Sequence, residues 1–198
     1  MQILEKEDIA KLVAYLRQDD VVAVPTDTVF GVCARYDHQN AQENLRNLKK
    51  RPQTKAFPLM CADLAQVKTI CEISKVEENV IKKLMPGPLT LILKKKLTLP
   101  YFVNGGMETV AIRLATDDNL KMIIQQLGCP IYMTSANLSG EPSALSVEDV
   151  KKAVPNVKAI LNGRVAFAKA STIAEYHDQQ WQILRNGPIT LNDLEKNN

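Results

Sequence analysis

Ile131-Tyr132-Met133-Thr134-Ser135-Ala136-Asn137-Leu138-Ser139-Gly140 is the stretch on which the reading of this 198-residue chain turns. A short apolar run passes abruptly into small residues bearing hydroxyls and an amide, with Gly128 and Pro130 ahead of it and Pro142 behind. That pattern predicts a buried strand running into a polar loop at its end. In open α/β sheets ligands bind at such strand ends. Ser135 and Asn137 equally suit a turn in which they bond only local backbone.

The same plan recurs upstream. Val21-Val22-Ala23-Val24 reads as a buried strand, Pro25-Thr26-Asp27-Thr28 as a polar turn, and Val29 to Ala34 as a second strand. Two hydroxyls and a carboxylate at that turn could orient a small polar ligand, or simply make the turn. Helical spacing predicts helices over Glu5 to Arg17, Gln39 to Lys50, Asp63 to Ile73, Val76 to Met85 and Asp117 to Leu127, with a short one around Val147 to Val154. Strands are expected at 56–61, 89–93, 110–115 and 159–161. Ser171 to Tyr176 should form a hairpin with Trp181 to Arg185 across residues 177–180. This alternation predicts an α/β fold, and no linker or repeat divides the chain.

Composition narrows the classes. Hydrophobic residues make up 45% of the chain, enough for a full core, and 25 Lys+Arg against 22 Asp+Glu leave a net charge of only +3. That bias permits anionic ligands without marking a nucleic-acid protein. Cys33, Cys61, Cys71 and Cys129 are scattered with no CxxC pair, which predicts neither a zinc site nor a disulfide framework. With no leader-like segment at Met1 and no apolar run of membrane-spanning length, the reading is a cytoplasmic protein.

The phosphate-binding, dinucleotide-binding, nucleophile-elbow and zinc-protease motifs are all missing, and His38 and His177 are the only histidines. Catalysis must then come from positioning reactants and neutralising charge, as in phosphoryl and nucleotidyl transfer. Two sets of cations are candidates. Lys49, Arg51 and Lys55 cluster after a helix, where they could grip a polyphosphate or merely complement the helix dipole. Arg113 interrupts the apolar run Val110-Ala111-Ile112-Arg113-Leu114-Ala115 and needs an anion, either an internal carboxylate or a substrate's.

Seven segments, in order, resemble the threonylcarbamoyl-AMP synthases, the YrdC/TsaC-like proteins. They are Val24-Pro25-Thr26-Asp27-Thr28-Val29-Phe30-Gly31, Lys49-x-Arg51-Pro52, Pro86-Gly87-Pro88-Leu89-Thr90, Thr109-Val110-Ala111-Ile112-Arg113, Ser135-Ala136-Asn137-Leu138-Ser139-Gly140, Ser171-Thr172 and Leu184-Arg185-x-Gly187. The resemblance implies one domain over residues 5–190, a twisted mixed sheet flanked by helices with a large basic concave groove. Residues 191–198 are expected as a tail or short helix, making this the short form of the family.

The resemblance further implies that L-threonine, bicarbonate and ATP with Mg2+ are joined into threonylcarbamoyl-AMP and pyrophosphate. Partner proteins would then pass the threonylcarbamoyl group to adenosine in tRNA. Thr26, Met60, Arg113, Met133 and Ser171 would hold threonine. Arg51, Lys55, Thr109, Ser135, Ser143 and Arg185 would contact ATP, and Lys49, Arg51, Ser135 and Asn137 would serve catalysis. No protein-held metal is implied, and Met60 stands where many members carry His. Two other readings use the same residues: a double-stranded RNA-binding or ribosome-maturation protein, for which the groove would hold RNA, and a carbamoyl-transfer accessory domain of hydrogenase maturation.

Overall fold

The structure, a computed structural model, describes residues 1–165 and 170–198. Along the chain run β1 (Gln2–Leu4), α1 (Ile9–Arg17), β2 (Val22–Pro25), β3 (Phe30–Arg35), α2 (Gln39–Lys49), β4 (Leu59–Cys61), α3 (Leu64–Ile70), β5 (Cys71–Glu72), α4 (Lys75–Leu84), β6 (Leu89–Lys95), β7 (Thr109–Leu114), α5 (Asp118–Leu127), β8 (Ile131–Ser135), α6 (Val147–Ala153), β9 (Ala159–Leu161), β10 (Thr172–His177), β11 (Gln180–Arg185) and α7 (Leu191–Glu195). These strands form one mixed sheet in the order β1-β9-β2-β3-β8-β4-β7-β6-β10-β11, with β5 added beside β6.

Apolar side chains alternate across this sheet. Ala23, Val32, Ala34, Tyr132 and Ile160 belong to a core completed by Ala41 and Leu45 of α2, Val67 of α3, Val80 and Ile81 of α4 and Val150 of α6. Their neighbours Val22, Val24, Cys33, Ile131, Met133, Ala159 and Leu161 face a second core, built with Ile9, Leu12, Val13 and Leu16 of α1 and Leu120, Ile123, Ile124 and Leu127 of α5. Both faces are covered here, which is why these strands read as continuous apolar runs.

Further along the sheet the second cover ends. On β6 and β7, Leu89, Leu91, Leu93, Val110, Ile112 and Leu114 point into the first core. The residues between them, Thr90 and Ile92 on β6 and Thr109, Ala111 and Arg113 on β7, line a cleft instead. The period of two along a strand thus places these five on the face that α1 and α5 leave bare.

Several boundaries depart from expectation. The first helix opens with a 3-10 turn at Lys6–Asp8. The preceding strand β1 has no signal in the sequence, since its three residues gain their meaning only by pairing in parallel with β9. The helix expected to reach Ile73 stops at Ile70 because Cys71 and Glu72 pair with Lys95 and Lys94 of β6. The strand expected from Ala56 begins at Leu59, after Pro58, which has no N–H to donate. Asn104-Gly105-Gly106, expected as a turn, closes a 3-10 turn. In the hairpin, Asp178 and Gln179 alone make the turn, both with positive φ, so His177 and Gln180 join the strands. All four cysteines are free thiols. Among the described residues no helix is long and apolar enough to cross a membrane.

Candidate active site

The cleft on the bare face has a volume of about 770 Å³. Its lining combines Arg51, Arg113 and Arg185 with hydroxyls and apolar side chains, and among the described residues it contains no Asp or Glu. Of the residues expected at the site, Thr26, Arg51, Met60, Thr109, Arg113, Met133, Ser135, Ser143, Ser171 and Arg185 all line it. They come from distant segments, and burial sorts them. Thr26, Met60, Arg113, Met133 and Ser171 are buried, whereas Arg51, Ser135 and Ser143 are half-buried and Thr109 and Arg185 exposed.

The deep end is built on β3, β4, β7 and β8. Met60 lies opposite Arg113 in the β4–β7 ladder, and Met133 opposite Cys33 in the β3–β8 ladder. Gly31 makes room for them: a Cβ there would stand 2.3 Å from the Met133 sulfur. Arg113 has found its anion within the chain. Nη2 donates to both oxygens of Asp27, at 2.8 and 2.6 Å, and Nε donates to the Gly87 carbonyl at 3.2 Å. No hydrogen bond joins Nη1 to another described residue. Burial lowers the guanidinium from its ordinary value, the Asp27 carboxylate offsets part of this, and nearby Arg185 adds to the lowering.

The Thr26 hydroxyl is engaged within its own turn. It donates to the Val29 carbonyl at 2.6 Å and accepts from the Thr28 and Val29 amides, both at 3.2 Å. These bonds close the turn between β2 and β3, so the hydroxyl is spent on its own loop. Thr28, at the same turn, also lines the cleft.

Arg51 is braced by its own loop, donating to the Lys55 carbonyl at 3.2 Å and the Ala56 carbonyl at 2.6 Å. Its guanidinium stacks on Phe57 at 4.8 Å, as Arg46 does at 5.0 Å. Lys55 contributes that carbonyl, but its side chain is exposed and does not line the cleft. Arg185 donates twice to the Ser171 carbonyl, at 3.0 and 2.8 Å, and to the Ser171 hydroxyl at 3.1 Å.

Lys49 corrects the reading of the helix-end cluster. It is 1% exposed and lines no part of the cleft. Its ammonium donates to the carbonyl of Ser135, the carbonyl of Asn137 at 2.8 Å and the Asn137 side-chain oxygen at 3.1 Å. Asn137, also buried, donates onward to the carbonyls of Leu138 and Glu141 at 2.9 and 2.6 Å. Lys49 and Asn137 therefore brace the loop that carries Ser135, rather than meeting a ligand. The signal was present in the sequence: Ala41, Leu45 and Lys49 follow at intervals of four on the buried stripe of α2.

Thr90 lines the cleft without having been singled out in the sequence, whereas Thr28 and Asp27 belong to the turn read there as able to orient a small polar ligand. The signal of Thr90 is a polar side chain at even register in the apolar run of β6. Neither histidine reaches the cleft; His38 pairs with Asp19 and His177 with Asp178.

Gly187 sets the position of Ser171. A Cβ at residue 187 would lie 2.2 Å from the Thr172 amide nitrogen and 2.6 Å from the Ser171 carbonyl carbon. Backbone cannot yield as a side-chain tip can. Gly187→Ala is expected to cost about 3 kcal/mol in urea unfolding and to weaken any ligand held by Ser171, measured by calorimetric titration.

The chain is similar to known proteins over most of its length. The family model described as Sua5_yciO_yrdC, telomere recombination, matches residues 14–187. The threonylcarbamoyl-AMP synthase of Pyrococcus abyssi is 30% identical over 196 residues, which are 98% of this chain and 58% of that protein. The threonylcarbamoyl-AMP synthase of Aliivibrio fischeri is 35% identical over 148 residues, covering 73% of this chain and 80% of that one. The solved structure of P. abyssi Sua5 complexed with L-threonine superposes with a TM-score of 0.92 at 29% identity, over 99% of this chain and 60% of that one. The chain thus spans little more than half the length of the Pyrococcus relative.

Proposed function

We propose that this chain, which belongs to the Sua5/YciO/YrdC family, is an L-threonylcarbamoyladenylate synthase. The observation that carries this reading is one cleft whose described lining brings three guanidiniums of different burial together with hydroxyls and no Asp or Glu. Arg113 lies buried beside methionines and hydroxyls, whereas Arg51 is half-buried and Arg185 exposed. A buried guanidinium with one nitrogen to spare fits a single carboxylate, and a pair of open guanidiniums fits a polyphosphate.

On this reading Arg113 takes the carboxylate of L-threonine, Met60 and Met133 pack on its aliphatic part, and Ser171 adds a hydrogen bond. Thr26 borders the pocket through its methyl and backbone. Arg51 and Arg185, with Thr109, Ser135 and Ser143, take ATP, which arrives with its Mg2+. Ile92, Ala111 and Ile173 offer the flat apolar floor a nucleobase needs. Lys55, exposed on the loop that braces Arg51, would meet the phosphates from the rim.

The threonine amine captures bicarbonate, losing water to give a carbamate. A carbamate oxygen then attacks the α-phosphorus as the bond to pyrophosphate breaks. The residues' part is to align the reactants and neutralise charge growing on the phosphates. The product would pass to partner proteins that modify adenosine in tRNA, a cytoplasmic task.

The test is pyrophosphate release from Mg-ATP and bicarbonate, with and without L-threonine. Threonine-dependent release is expected. If folded protein shows none, and instead binds double-stranded RNA with steep salt dependence, the enzyme reading fails.

A further inference from the structure

We infer that Asn104 is a specificity residue whose side-chain oxygen accepts a hydrogen bond from the 6-amino group of adenine, so that the cleft prefers ATP to a 6-oxo purine nucleotide. This rests on the ATP reading above and assigns how the base is told apart.

The starting point is a single atom. Asn104 lines the cleft and is 6% exposed. Its Nδ2 donates to the Thr109 carbonyl, which can only accept, so the amide cannot be turned about and Oδ1 faces away from that carbonyl. Oδ1 is buried without a hydrogen-bond partner, and among the described residues no other buried side-chain nitrogen or oxygen is left so. An acceptor in that position costs stability until a donor meets it.

The backbone does not account for the choice of asparagine. Asn104 has φ 64, where asparagine is better tolerated than most side chains, but glycine would fit there too and would leave no orphan. The groups around it are met. The Phe102 carbonyl accepts from Gln42 at 2.9 Å, the Val103 carbonyl from Lys95 at 3.1 Å and the Asn104 carbonyl from the Met107 amide at 3.2 Å. The amide is thus held in place with one acceptor unused.

Its neighbours indicate the donor. Ile92 and Ala111 are direct partners in the β6–β7 ladder, Thr109 follows Ala111 on the same face, and all three line the cleft. Asn104, tied to Thr109, therefore stands beside that apolar floor. A purine resting flat on Ile92 and Ala111 presents an edge, not a face, to Asn104. On the edges of adenine the ring nitrogens accept and the 6-amino group alone donates, whereas a 6-oxo purine carries an acceptor in its place. Because Oδ1 is shielded from bulk water, a bond to the amine displaces no hydration on the protein side.

Affinities are measured by calorimetry for ATP, for ITP, in which a carbonyl replaces the amine, and for dATP, which lacks the ribose 2′-hydroxyl, with urea unfolding as the check on folding. Wild type is expected to bind ITP roughly 10-fold more weakly than ATP and dATP. Asn104→Gly suits the left-handed backbone and removes the amide. It should bind ATP and ITP alike, near the wild-type affinity for ITP. Asn104→Asp keeps an oxygen to accept and loses the donor to Thr109; its added negative charge weakens all three nucleotides together, but the preference for ATP over ITP should persist.

Equal affinity of wild type for ATP and ITP, a preference that survives in Asn104→Gly, or its loss in Asn104→Asp overturns the inference. So does a preference for ATP over dATP that Asn104→Gly removes, since the oxygen would then belong to the ribose. Equal weakening of ATP and ITP by Asn104→Gly would leave Asn104 only the support of Thr109. Should the glycine variant not fold, wild type and Asn104→Asp decide by the same ratios. Wild type that binds none of the three nucleotides refutes the ATP reading itself, a different outcome from a nucleotide site that does not read the base.

Discussion

Arg113→Ala is expected to lower kcat/KM for L-threonine in pyrophosphate release by about 100-fold or more, while ATP affinity stays within about threefold. The guanidinium is buried, so water cannot replace the two hydrogen bonds and the charge it would give a carboxylate. The substitution also strands Asp27, whose side chain is 20% exposed and held by Arg113 at 2.6 Å. A cost of about 2 kcal/mol in urea unfolding follows, below the usual figure for a fully buried pair because Asp27 keeps some access to water. The double variant Asp27→Asn/Arg113→Ala should recover most of that stability and none of the turnover. Full activity in the single variant would remove Arg113 from the substrate.

Lys49→Met is expected to cost about 3 kcal/mol and to weaken ATP binding, although Lys49 does not line the cleft. The substitution preserves bulk but leaves two backbone carbonyls and an amide oxygen without their donor. Urea unfolding and nucleotide titration measure the two effects; wild-type values for both would show that the loop carrying Ser135 holds itself. The same residue predicts an alkaline limit. Burial, and then Arg51, pulls the ammonium down from 10.5 to about 8. Once neutral it has only two protons for three oxygens, so activity should fall above about pH 8. The unfolded chain holds this proton up to 10.5, and between those values it binds more protons than the folded chain. This group's contribution to stability therefore rises with pH in that window, and the loss of activity comes from a loosened loop rather than unfolding.

How far the residues speak without the fold differs along the chain. The strands β2, β3 and β8 are legible because most of their length is covered on both faces and so is apolar, and β7 because its apolar run Val110, Ile112 and Leu114 faces the first core while its other side lines the cleft. Strand β1 and the β5 pairing are not, since two or three residues carry no period and are strands only by virtue of their partners. The motifs likewise named most of the cleft, because a buried Arg and clustered hydroxyls are unusual wherever they fall.

By itself the sequence determined the alternation of strand and helix, the family, and the presence of a buried guanidinium needing an anion. Tertiary structure alone decided which anion meets it: Asp27, 86 positions away, supplies both oxygens. It also decided that Lys49 turns inward, that Thr26 spends its proton on Val29, and that Thr90 meets Ser171 across the parallel pairing of β6 and β10. The physical reason is the same in each case. A residue's type fixes how many protons and charges it has to offer, but direction and partner are set by which strands lie side by side, and no local pattern records that.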